Sequence, residues 1–238
     1  MLFYLISTII RQEALGNFKI ITDETERIYF PSSQLIFSNM LQFEITYKKA
    51  YFTFPILENF VYSFYFDTIY GGGLAYKLRN IDLGLNSFYV QSEVKLNLGL
   101  SLKALEKHQI KFSMDYFRDS VLIRGFASIA LEQISFKFYG EYKNNFIGIF
   151  AISYEPTAYR FLTFGIFNLS KDIYTFSNVE FFIYRNYLML RGGVWQNLKT
   201  SDYNINYGFS IFYNNMRSDF ILNEKEFKIG VSYLFKVF

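Results

Sequence analysis

The stretch Glu226-Phe227-Lys228-Ile229-Gly230-Val231-Ser232-Tyr233-Leu234-Phe235-Lys236-Val237-Phe238 decides the fold. Its odd positions Phe227, Ile229, Val231, Tyr233, Phe235 and Val237 are apolar. Lys228, Gly230, Ser232 and Lys236 between them are polar or small, with Leu234 and Phe238 as exceptions. A period of two belongs to a β-strand with one greasy face. Such a strand alone leaves a row of backbone N–H and C=O groups unpaired, so it needs neighbours. At the carboxyl end of a chain that lacks cysteine, an aromatic-rich strand of this kind is expected to pair with the first strand and close an outer-membrane β-barrel. Phe227, Ile229, Val231, Tyr233 and Phe235 are the expected closing residues.

Composition agrees. Of 238 residues, 51% are hydrophobic and 22% aromatic, with 30 Phe and 21 Tyr against 3 Pro and no Cys. Phe and Tyr favour pleated surfaces and crowd at membrane interfaces, and their share here is far above ordinary soluble usage. No window of about 18 to 20 uninterrupted apolar residues exists, which excludes an ordinary helical span. The 24 basic and 21 acidic residues are scattered and leave a net charge of +3, so nothing points to nucleic acid. Absence of Cys fits an oxidising compartment and a reducing one equally.

The first residues are read in two parts. Leu2 to Ile10 is an apolar run of the length of a signal-peptide core, followed by Arg11-Gln12-Glu13-Ala14-Leu15-Gly16. Residues 1–16 are therefore expected to be a remnant export signal, although a basic start and a small-x-small cleavage site are both missing; the alternative is a structured apolar terminus. Asn17 to Asn39 carries Asp23, Glu24, Glu26 and Arg27 and then Pro31-Ser32-Ser33, too irregular for a strand. That segment is expected to plug the barrel, its charges pairing with Arg124 and Arg191 inside.

From Met40 to Phe238 the chain is a succession of alternating segments punctuated by turn formers, as a meander requires. Val94, Leu96, Leu98, Leu100 and Leu102 stand on one face against Lys95, Asn97, Gly99, Ser101 and Lys103. Ile110, Phe112, Met114 and Tyr116 against Lys111, Ser113 and Asp115 repeat the pattern, as do Tyr203, Ile205, Tyr207, Phe209, Ile211 and Tyr213 against Asn204, Asn206, Gly208 and Ser210. Turns are expected at Gly71-Gly72-Gly73, Glu106-Lys107-His108 and Glu155-Pro156 among others. About 200 residues at about 14 per strand and turn predict an all-β, antiparallel up-and-down transmembrane barrel of about 14 strands, within a range of about 12 to 16. The competing architecture is a soluble β-barrel or sandwich binding protein, which would turn its apolar face inward.

The segments Tyr187-Leu188-Met189-Leu190-Arg191-Gly192-Gly193-Val194, Tyr207-Gly208-Phe209-Ser210-Ile211 with Ser218-Asp219-Phe220, and Ile229-Gly230-Val231-Ser232-Tyr233-Leu234-Phe235 resemble the last strands of the FadL and PorV/PorQ group of outer-membrane barrels. The likeness covers roughly 50 residues well and departs at the amino terminus, where Phe30-Pro31-Ser32 keeps only the proline of the group's hatch element. It implies an outer-membrane location and a role either in moving hydrophobic molecules or as a secretion and surface-assembly scaffold. The partners expected are the lipid bilayer, the barrel-assembly machinery, and a small solute or a secretion partner.

No enzyme and no cofactor or metal is expected. The single His108 sits in a charged stretch and reads as a solvated loop residue; there is no Cys and no Gly-x-Ser-x-Gly, and Gly71-Gly72-Gly73 lacks the Lys of a phosphate loop. More informative are charges that parity places on the polar face in mid-strand: Asp115, Arg124, Lys137, Glu141, Glu180 and Arg191. Against lipid, an Arg or Lys at the midplane costs about 2 to 4 kcal/mol, so these six are expected to face the lumen. There they form either a constriction that selects by charge or a salt-bridged filling. Trp195, Tyr203, Tyr207 and Tyr213 are expected to form an interfacial girdle. Function is thus read as a passive channel for small solutes, hydrophobic ones included, or a non-transporting scaffold.

Overall fold

The structure, a computed structural model, describes residues 40–238 apart from 47–49, 67–69, 91–92, 106–107, 119, 158–159, 170, 185–186, 215, 224–226 and 237–238. The expected signal segment, residues 1–16, and the expected plug, residues 17–39, lie outside the described residues. Among the described residues, sixteen antiparallel strands follow one another around the barrel: β1 Met40–Thr46, β2 Ala50–Leu57, β3 Phe60–Phe66, β4 Tyr70–Leu78, β5 Ile81–Val90, β6 Glu93–Leu105, β7 His108–Phe117, β8 Ser120–Leu131, β9 Ile134–Tyr142, β10 Phe146–Thr157, β11 Arg160–Leu169, β12 Asp172–Tyr184, β13 Leu188–Asn197, β14 Tyr203–Tyr213, β15 Met216–Asn223 and β16 Phe227–Lys236. Each pairs with the next, and β16 pairs with β1 through a ladder from Met40 opposite Lys236 to Thr46 opposite Gly230. Every backbone edge is therefore consumed, which is what hydrocarbon demands.

The strand count lies at the top of the expected range because the connections are very short. Between successive strands run two to five residues, the longest being 198–202. Tight hairpins of this kind use left-handed residues, and Arg79, Arg118, Glu132, Ser201 and Asn214 all adopt positive φ.

Two sequence-based turns are strand interior instead. Gly71, Gly72 and Gly73 lie inside β4, between β3 and β5. At Gly71 a side chain has no room, since a Cβ would stand 2.5 Å from the Ser87 carbonyl oxygen and 2.7 Å from the Phe88 ring. Glycine here lets an aromatic ring lie across the strand rather than turning the chain. Glu155-Pro156 forms an irregularity in β10, where the register to β11 shifts between Tyr154 and Thr157. A bulge accommodates a proline, which cannot donate to the ladder.

Alternation sorts the residues as the sequence suggests. In β6, Leu98 is 50% exposed and Asn97 1%. The outer face carries exposed apolar side chains from every strand, from Ile45 on β1 and Val194 on β13 to Ile110, Phe112, Ile129, Phe164, Ile166, Ile173, Ile205 and Ile229. A continuous apolar surface of this extent does not occur on a water-soluble monomer. Its inward counterpart is polar, with Gln42, Glu44, Thr53, Ser63, Asn86, Asn97, Ser113, Ser153, Thr163 and Asn178 buried. The arrangement is inside-out relative to a soluble β-barrel or sandwich, and that alternative falls. The protein is an all-β transmembrane barrel.

Candidate functional site

The inner wall is built in transverse rows, because residues paired across neighbouring strands share a face. One row runs Gln42, Thr53, Ser63, Gly73, Asn86, Asn97, Asp115 across β1 to β7. A second runs Ser135, Ser153, Thr163, Asn178, Gly193, Asn206 across β9 to β14. Within it the Ser153 and Thr163 hydroxyls bond each other at 2.8 Å. Between these lies an apolar row, Phe126, Tyr139, Ile149, Phe167 and Tyr174, on β8 to β12. Phe126, Tyr139, Ile149, Ala151 and Phe176 form a buried cluster there, with Phe167 and Trp195 packed against it. A smaller aromatic group, Tyr51, Tyr65 and Phe88, lies near the glycines of β4, where the Tyr65 hydroxyl donates to Asn86 Oδ1 at 3.2 Å.

Two ion-pair networks interrupt the rows. Arg124 on β8 donates to both oxygens of Asp115 on β7, Nη1 to Oδ1 at 2.8 Å and Nη2 to Oδ2 at 2.9 Å. Lys95 of β6 reaches the same carboxylate at 2.5 Å, and Glu141 of β9 lies 3.6 Å from Arg124 Nε. Tyr139 donates its hydroxyl to Glu141 at 2.5 Å. This fork-on-carboxylate geometry is the strong form of an ion pair. The second network centres on Arg191 of β13. Its Nε stands 3.2 Å from Glu180 Oε2 on β12, its Nη1 donates to Asp219 Oδ1 on β15 at 2.9 Å, and its Nη2 donates to the Ser210 hydroxyl on β14. Ser210 in turn donates to Asp219, which also accepts from Arg217 Nε at 2.8 Å. The Arg191 and Asp219 side chains are both 0% exposed.

All six sequence-predicted charges thus face inward, and they divide between places. Asp115, Arg124 and Glu141 belong to one network, Glu180 and Arg191 to the other, and Lys137 pairs with Glu155 at 2.7 Å nearer the barrel end. Sequence reading missed Lys95, Glu155, Ser210, Arg217 and Asp219. Arg217 and Asp219 carried a signal, being opposite charges two apart and hence on one face of a strand. The expected pairing of Arg124 and Arg191 with residues 17–39 falls on residues outside those described; the partners named above lie within the wall.

Tyr203, Tyr207 and Tyr213 lie exposed on the outer face. Trp195 does not join them. It is half-buried against the inward cluster, with Tyr174 edge-on at 5.5 Å. The girdle expectation is corrected for this residue: Trp195 shares strand parity with Arg191, and the rings of Tyr174 and Phe176 give it an inward seat. His108 is likewise not a loop residue. It opens β7, half-buried, and its Nδ1 accepts from the Ala130 N–H at 3.3 Å. Of the closing strand, Phe227, Ile229 and Val231 are exposed on the outer face; Tyr233 and Phe235 stand in the ladder opposite Phe43 and Leu41.

No protein-family model and no curated protein matches the chain. Among solved structures it is similar to the outer membrane protein OprD of Pseudomonas aeruginosa, at 8% identity over 82% of this chain and 92% of that one, with a TM-score of 0.44. It is similar to OpdQ of the same organism at 9% identity, over 80% of this chain and 79% of that one, with a TM-score of 0.49. A bacterial polysaccharide outer membrane secretin gives 10% identity, 83% and 97% coverage and a TM-score of 0.49. These are likenesses of shape, and neither solute nor mechanism carries over from them.

Proposed function

We propose that the protein is a bacterial outer-membrane β-barrel that conducts small solutes through a lumen narrowed by its own wall. The polar inner face carries this reading. Two long rows of Ser, Thr, Asn and Gln cross the wall, and ion-paired arginines stand between them. A barrel that needed only to be filled would do better with apolar side chains, because each buried polar group must recover its desolvation through hydrogen bonds. Barrels of about 16 strands are wide enough for an aqueous path. Lys95 and Arg124 are balanced by Asp115 and Glu141, and Arg191 and Arg217 by Glu180 and Asp219, so neither sign dominates the wall there. The aromatic row on β8 to β12 adds surface for apolar parts of a solute, and we assign the protein no catalytic role. The C-terminal strands resemble those of the FadL and PorV/PorQ group, which supports a solute of partly hydrophobic character.

A second reading, a non-transporting scaffold, is favoured by one observation: many inward polar side chains, Gln42, Thr53, Ser63, Asn86, Ser113 and Ser153 among them, are buried, as in a lumen without a continuous water column. Liposome flux separates the two. Purified protein in liposomes should admit small sugars and amino acids slowly, and deletion of residues 17–39, the expected plug, should raise the rate. A truncated protein that keeps its β-structure by circular dichroism and leaves liposomes as tight as protein-free ones supports the scaffold and contradicts the channel.

A further inference from the structure

The inner wall carries an apolar surface that a water-filled lumen would leave uncovered. Phe126 on β8, Tyr139 on β9, Ile149 and Ala151 on β10 and Phe176 on β12 are all buried, with Trp195 of β13 packed against them. They share strand parity with Arg124, Glu141, Ser153, Asn178 and Arg191, so they point into the barrel rather than toward lipid. Sixteen strands at about 4.8 Å spacing, tilted by about 40°, enclose a lumen about 30 Å across from backbone to backbone. Thr53, Ser63, Ser113, Ser153 and Ser210, on β2, β3, β7, β10 and β14, are nevertheless 0% exposed. Side chains this short cannot meet across such a width, so their burial requires a filling beyond the wall itself.

The chain has the material for one. Residues 1–39 precede the wall, and Met40 opens β1. β1 and β9 stand eight strands apart either way round the circle, so the apolar surface on β8 to β12 faces β1 across the lumen. Reach then selects the occupant. Phe30 precedes Met40 by ten residues, and ten extended residues span about 33 Å, enough to cross to β9 and β10. Leu35-Ile36-Phe37 stands within five residues of Met40 and reaches at most about 18 Å, short of the far wall. A residue before proline is steered toward extended backbone, which favours a crossing at Phe30-Pro31. Ile28-Tyr29-Phe30 is thus the first apolar run before β1 with the reach to meet Phe126, Tyr139 and Phe176, and its two rings suit edge-to-face or offset pairing with theirs. Carboxylates of the wall already face Arg124 and Arg191, whereas the apolar surface needs an apolar cover.

We propose that Ile28-Tyr29-Phe30 docks on this inner surface, so that residues 17–39 fill the lumen through an apolar hold on the wall opposite β1. The inference concerns what covers the surface and applies to channel and scaffold alike; liposome flux, read separately, decides between those two. The test uses the full chain in detergent micelles, where Trp195 is the sole tryptophan and stands at the edge of the surface. Acrylamide should quench it weakly in the parent. Ile28→Ser with Phe30→Ser should raise the quenching constant at least twofold and shift the emission to the red. Leu35→Ser with Phe37→Ser, an equal loss of apolar surface beside β1, should leave both unchanged. The chain has no native cysteine, so a cross-link gives a second arm: Phe30→Cys with Ile149→Cys should form an internal disulfide on oxidation with copper phenanthroline, and Phe30→Cys with Ile56→Cys, on the outer face, should not. Absence of the Phe30–Ile149 disulfide in a protein that keeps its β-structure by circular dichroism overturns the proposal. So does equal quenching of Trp195 in the two serine variants. Deletion of residues 2–10 that alone exposes Trp195 would give the surface to the other apolar run and overturns it too. Where the double-cysteine variant fails to fold, the serine variants, which leave the wall intact, decide the matter alone.

Discussion

Replacing Arg191 with Met distinguishes a dry wall from a wet one. Arg191 contacts Glu180 at 3.2 Å and Asp219 at 2.9 Å, and the three side chains are 0%, 1% and 0% exposed. Arg191→Met keeps much of the apolar volume and withdraws one cation from two buried carboxylates. Breaking a buried pair by removing one partner costs about 3 to 5 kcal/mol, because a charge is left poorly compensated in a low-dielectric site. Asp219 keeps Arg217 at 2.8 Å, which places the expected loss near the lower bound, about 3 kcal/mol. The same contacts in water would be worth about 0 to 1 kcal/mol. Adding Glu180→Gln to Arg191→Met should recover a large part of the loss, since the double variant no longer buries that unmatched charge. Equilibrium urea unfolding in phospholipid bilayers, followed by Trp195 fluorescence, reads both numbers. A loss below about 1 kcal/mol for Arg191→Met, or no recovery in the double variant, would show that water reaches this network and would refute the reasoning.

Gly165 and Gly125 should respond oppositely to alanine. A Cβ at Gly165 would meet the Phe150 carbonyl oxygen at 2.4 Å and the Phe176 ring at 2.5 Å, whereas at Gly125 it meets nothing within 4 Å. Gly165→Ala should therefore destabilise the barrel by about 1 to 3 kcal/mol and Gly125→Ala should be close to neutral, measured as shifts in the urea midpoint. The sole tryptophan gives a test without mutation. Trp195 faces inward against Tyr174 and Phe176, so lipids brominated on their acyl chains should quench its emission little; strong quenching would return it to the outer face.

Much of the fold was legible because alternation in β6, β7, β14 and β16 leaves no freedom about which face is which. A strand shifted by one residue would put Lys95, Asn97 and Lys103 into lipid. Strand number was less legible, since the turn signals do not say how few residues a hairpin needs, and connections as short as two fit more strands into the same length. Gly71-Gly72-Gly73 misled because glycine serves two purposes, a turn and a gap beneath a ring, and only the neighbouring Phe88 decides between them. Trp195 was assigned by residue type, although its parity with Arg191 already placed it inside. The membership of each ion-pair network was out of reach for another reason. Arg191 and Asp219 are separated by 28 positions and by one intervening strand, so their meeting depends on the register of two hairpins together.

The central claim, that alternate residues of each strand turn an apolar face toward lipid and the other face inward, is tested most directly by single-cysteine scanning of β6. The chain has no native cysteine, so each introduced thiol is the sole reactive one. Bimane attached at positions 96, 98, 100 and 102 should be quenched by acyl-chain bromolipids, and bimane at 97, 99 and 101 should not, giving a period of two along the strand. Quenching without alternation, or full reaction of the even positions with a water-soluble maleimide in intact liposomes, would contradict the claim.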